Sequence, residues 1–167
     1  MLKKLQVTIL ILLIPLGLVY LYAQSQHIPL REVFTPGATI AHVGEIPVTV
    51  EIVASDAERA QGLSGRKEMK TDGMLFVFAT NERHGLWMKD MLFSIDIIWI
   101  DESLTVVGID RGVSPDTYPR TFRPPVPVRY AIETSSGYTD FYGISVGKKV
   151  RLPLEVDPSA VTTHHSE

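Results

Sequence analysis

The chain of 167 residues carries 16 Lys and Arg against 19 Asp and Glu, a formal net charge of −3, and no cysteine. Taking Lys3 and Lys4 away with the apolar leader leaves 14 basic residues against 19 acidic ones, which excludes the basic footprint that a nucleic-acid backbone demands. The missing cysteines exclude disulfides, a lipid-modified cysteine, thiolate metal sites and cysteine nucleophiles.

The amino terminus reads MLKKLQVTILILLIPLGLVYLYAQSQ, with 17 uncharged positions from Val7 to Ala23. Two lysines before an apolar run keep that end in the cytoplasm and send the rest outward. Two outcomes stay open for residues 1–26. Pro15, Gly17 and the small Ala23 and Ser25 fit a cleaved signal peptide. The run exceeds the ~7–15 residues of a usual signal core, and Tyr20 and Tyr22 resemble interfacial anchors, so a retained single span also fits. The expected place is the cell membrane with the carboxyl-terminal domain outside, or a secreted or periplasmic one if the leader is removed. Residues 27–41, broken by Pro29, Pro36 and Gly37, read as a linker. Residues 42–156 read as a globular domain.

Inside that domain Ile46 to Ala54 alternates as a half-buried strand. Ser55 and Glu58 then form a capping box for a short helix from Asp56 to Gln61, which Gly62 stops. GMLFVF at Gly73 to Phe78 is a buried strand. WMKDM and SIDIIWID supply two more between Leu86 and Asp101, and Leu104 to Ile109 another. Arg111 to Pro125 packs four prolines, a glycine and three arginines into 15 positions and reads as a long irregular loop. Val126 to Glu133 returns to strand, Ser136 to Tyr142 makes a helical turn, and Ser145 to Leu154 closes the domain. Residues 157–167 are polar and read as a disordered tail; the adjacent His164 and His165 lack the further ligands a metal site needs. The expected fold is mainly β with one or two short helices (α+β), a compact antiparallel barrel or sandwich behind an N-terminal hydrophobic helix.

Charged residues among apolar ones single out the candidate site. Lys89 and Asp96 sit in segments rich in Trp, Ile and Met, where a charge demands a partner. Arg59 and Arg66 flank a glycine turn in R-x-x-G-L-x-x-R. Arg59 suits a brace at the helix end, and Arg66 suits either an anion or an interior acid such as Asp96 or Glu133. Trp87 serves equally as a stacking platform or as core filler. A glycosidase-style pair is conceivable from Asp90, Asp96, Asp101 and Glu133, but no histidine or serine stands at a catalytic spacing. No metal or cofactor motif occurs.

Arg59 to Arg66, Gly73 to Phe78, Trp87 to Met91, Asp96 to Asp101, Arg129 to Thr134 (RYAIET) and Gly143 to Val150 (GISVGKKV) follow one another in an order that resembles the family known as domain of unknown function 192. The resemblance spans about Val48 to Leu152. It implies a compact β-rich fold, often behind an export signal or anchor, and brings no catalytic residues. The expected function is therefore a membrane-tethered extracytoplasmic binding module for a small polar or anionic ligand or an envelope saccharide, with Arg66, Trp87, Lys89 and Asp96 as its pocket. The alternatives are an envelope hydrolase using paired carboxylates and a structural accessory domain.

Overall fold

The computed structural model describes residues 38–153 and 156; the expected leader, most of the expected linker and the expected tail lie outside the described residues. Among those described, no helix is long and apolar enough to cross a membrane. The elements are β1 (Ala38–Val43), β2 (Ile46–Val53), α1 (Asp56–Gln61), β3 (Gly73–Glu82), β4 (Leu86–Trp87), β5 (Ile95–Ile100), β6 (Val106–Val113), β7 (Thr121–Phe122), β8 (Val128–Ser135), α2 (Tyr138–Phe141) and β9 (Val150–Arg151).

Seven strands form one sheet in the order β6-β5-β8-β3-β2-β1-β9, while β4 and β7 pair as a separate ribbon. The central strands explain this arrangement. All of β5 is buried, and β8 and the first part of β3 nearly so, so their unbroken apolar runs need cover on both faces. One face is closed by the sheet itself, which curls into a half-barrel around Val48, Val50, Leu75, Ile98, Tyr130 and Ile132. Its two ends touch where Thr105 bridges Lys149 and the Val150 amide donates to the Leu104 carbonyl at 2.8 Å. The other face carries Met74, Phe76, Ile97, Trp99 and Ala131, and is covered by Leu63, Leu86, Met88, Met91 and Phe122. Each large side chain so buried contributes about 1.5–3 kcal/mol.

The mainly β character holds, but the sheet is mixed. β2 and β3 run parallel, because α1 and the segment after it cross over between them and return the chain in the same direction. β1 begins at Ala38, inside the stretch 27–41 expected to be linker, and Ala41 and Val43 are already core. Arg111 to Pro125 is not one irregular loop. β6 runs on to Val113, Pro115 opens a 3-10 turn after its Ser114 cap, and Thr121 and Phe122 pair with Trp87 and Leu86. The prolines fall between these paired residues, where no ladder amide is required. Pairing of WMKDM stops at Trp87, and Asp90 turns through a φ of 56°. The closing strand is paired to β1 only at Val150 and Arg151.

Asp96 does not meet Lys89. Its side chain lies on the inner face and is fully buried, where it accepts from the Gly112 amide at 2.8 Å and from the Thr139 amide and hydroxyl at 3.0 and 2.7 Å. It thereby ties β5 to β6 and to α2. Burial alone would raise its pKa, but the Gly112, Thr139 and Gly137 donors outweigh that and hold it below the ordinary aspartate value. Asp96→Ala strands these buried donors, at ~1–3 kcal/mol for each. It should lower unfolding free energy by about 3 kcal/mol or more, read as a lower urea midpoint at unchanged slope.

Candidate functional site

A cleft of about 470 Å³ opens on the outer face. One wall is α1 and its exit, from Asp56 and Arg59 to Gly62, Leu63 and Ser64. The other is Thr80, His84, Leu86, Trp87 and Met91, with Phe76, Phe78 and Glu133 of the sheet beneath.

The first wall is held by polar contacts, since α1 buries none of its residues. Ser55 caps the Glu58 amide while the Glu58 carboxylate reaches back to the Ser55 amide at 2.9 Å. Those donors hold the Glu58 carboxyl below its ordinary pKa. Arg59 braces the helix as expected: its guanidinium donates to the Ala54 carbonyl, to the Val77 carbonyl at 2.8 Å, and to the Asp56 carboxylate. Gly62 ends the helix at a φ of 45°, and a Cβ there would stand 3.3 Å from the Phe76 ring. Past it, the Ser64 hydroxyl and the Gly65 amide donate to the carbonyls of Lys89 and Asp90, both at 2.8 Å, which joins the two walls at one end.

The second wall is aromatic. His84 stacks on Phe78 with ring centroids 4.0 Å apart, and its Nε2 lies 2.8 Å from the Thr80 carbonyl. Trp87 is 53% exposed despite its apolar neighbours, and Tyr118 meets it edge to face at 6.1 Å.

Glu133 is the unusual member. It stands on β8 between Met74 of β3 and Ile97 of β5, with 5% of its surface accessible. No hydrogen bond or ion pair reaches its carboxyl among the described residues. Burial pushes its pKa up to about 8. The nearest pair on the same face, Glu51 and Arg66, satisfies itself at 2.7 Å. Arg66 therefore pairs with neither Asp96 nor Glu133, because its guanidinium is engaged by Glu51 of β2.

Of the four residues expected to form a pocket, Trp87 lines this cleft, and Arg66, Lys89 and Asp96 do not. Lys89 projects to solvent and contributes through its carbonyl. Asp96 pairs in register with Thr134, and Glu133 with Ile97; opposed residues share a face and successive ones alternate, so Asp96 and Glu133 point to opposite sides of the sheet. That separation leaves them unable to act as a carboxylate couple on one bond. Among the described residues no group of three His, Asp or Glu is placed to hold a metal ion. Glu133 is visible in RYAIET as an acid inside an apolar strand; what the sequence lacks is the face it takes and that no partner reaches it among the described residues.

Glu133 sets a pH dependence of stability. Folding raises its pKa from 4.5 to about 8, so between those values the unfolded chain loses a proton that the folded one keeps. Its contribution is complete below pH 4.5, declines as pH rises, and is gone above about pH 8. Within that window each further pH step of one removes about 1.4 kcal/mol. Glu133→Gln should melt about 5 °C or more above wild type at pH 8 and close to it at pH 5, measured by calorimetry.

Two crystal structures share this fold. One is of a candidate transcription regulator from Sinorhizobium meliloti 1021, at 24% identity and a TM-score of 0.63, matching 71% of this chain and 97% of that one. The other is of a protein of unknown function from Novosphingobium aromaticivorans DSM 12444, at 24% identity and a TM-score of 0.64, matching 69% of this chain and 85% of that one. At such identity the likeness is one of fold. Comparison with curated proteins gives no match. The family model described as Uncharacterized ACR, the domain of unknown function 192, matches residues 38–152, and the chain belongs to that family.

Proposed function

We propose that the domain is a binding module for a small polar ligand seated in the cleft between α1 and the β4–β7 ribbon. The supporting observation is Glu133: a buried carboxyl without a partner among the described residues, in an open cleft that an exposed tryptophan also lines. An unpaired buried acid costs stability, and a ligand group is the partner that removes the cost. Trp87 offers a flat apolar face and Glu133 a polar fixer, the combination by which small-molecule sites orient what they hold. A saccharide from the cell envelope fits that combination. Purified full-length protein in detergent, screened by thermal shift against neutral sugars, small acids and small amines, should give hits that raise the melting temperature. Trp87→Ala and Glu133→Gln should each weaken a hit at least tenfold; hits that bind both variants as well as wild type would remove the cleft from the proposal.

The apolar run from Val7 to Ala23 supports a further part of the reading, that the module is held at the outer face of the cell membrane. Intact cells treated with an external protease should lose the domain while the membrane pellet retains it before treatment. Recovery in the cytosolic fraction would overturn this location.

A further inference from the structure

We infer that the ligand of the cleft presents a protonated primary amine, which pairs with the Glu133 carboxylate while its apolar or glycosyl body lies along Trp87. This rests on the binding reading above and specifies its chemistry.

The charges around the cleft decide the sign. α1 contributes Asp56 and Arg59, which neutralise each other, and the Arg59 guanidinium is further committed to the Ala54 and Val77 carbonyls. Glu51 and Arg66, on the same face of the sheet, also pair with one another. His84 lies against Phe78 and the Thr80 carbonyl. The register neighbours of Glu133, Met74 and Ile97, carry no charge. Once Glu133 ionises, its negative charge is the one left without a counterpart, and no cation among the described residues that line the cleft is free to approach it. Empty, the site answers by holding a proton. An ammonium group replaces that proton: the carboxylic acid releases H⁺ to solvent, and the ammonium donates to the carboxylate oxygens at a site where burial weakens solvent screening and strengthens such a pair. An anion would have to meet an acid whose neighbours cannot offset the repulsion. Trp87, half of it uncovered, adds a ring face that attracts cations and apolar bodies alike.

The test compares benzylamine with benzyl alcohol, which share shape and differ in charge, by isothermal titration on the full-length protein. The amine should bind at least tenfold tighter than the alcohol at pH 8. Its affinity should fall about tenfold from pH 7 to pH 6, where the folded acid is protonated, and the heat should vary with buffer as one proton is released. Glu133→Gln should abolish both the preference and the pH dependence and change alcohol binding less than threefold. If the alcohol binds as well as the amine, and Trp87→Ala weakens both, the cationic ligand is refuted and the cleft stands. If neither binds at millimolar concentration, or both bind Trp87→Ala unchanged, the cleft reading falls with it.

Discussion

A sheet whose central strands are covered on both faces has no inexpensive place for a charge. Every other feature of this domain follows from how that constraint is met. β3, β5 and β8 carry apolar runs on both sides, so the sheet must curl to cover one face and recruit Leu63 after α1, the β4–β7 ribbon and the turn after β4 to cover the other. Two acids sit in the middle of this arrangement, one pointing each way. Asp96 on the inner face receives hydrogen bonds from Gly112 and Thr139 and becomes a rivet between β5, β6 and α2. Glu133 on the outer face receives none among the described residues. The fold has solved the same electrostatic problem once and left it open once, and the open instance lies where the covering elements fail to meet.

Much of the fold is legible in the sequence. The two-residue period of Ile46 to Ala54, the Ser55 and Glu58 box, and the apolar blocks GMLFVF and DIIWID mark elements that form where local pattern and packing agree. The elements that escape are those set by pairing rather than by pattern. β7 is two residues long between prolines, and nothing in Thr121-Phe122 announces a partner at Leu86 and Trp87. The parallel pairing of β2 with β3 depends on the path of a crossover that has no sequence period of its own.

The site is legible in residue type and illegible in geometry. Trp87 stands out in the linear text and lines the cleft. Asp96 and Lys89 invite pairing because both interrupt apolar segments, yet a turn at Asp90 sends Lys89 to solvent while the strand carries Asp96 inward. The need of a buried charge for a partner can be read from a linear text. Which partner, on which side of a sheet, depends on strand register, and register is fixed by contacts between distant segments.

The cleft has one hard wall and one soft. Trp87 and Glu133 are mounted on paired strands, whereas α1 contributes no buried side chain and hangs from a cap and one arginine. Its exit is fixed, because Leu63 directly after Gly62 is buried in the outer cluster, while the helix itself adds no apolar contact to either cluster. The rim of the cleft along α1 is therefore tied to the body by polar contacts up to that exit. Substitutions along the exposed side of α1 can reshape that rim while both hydrophobic clusters keep their contacts.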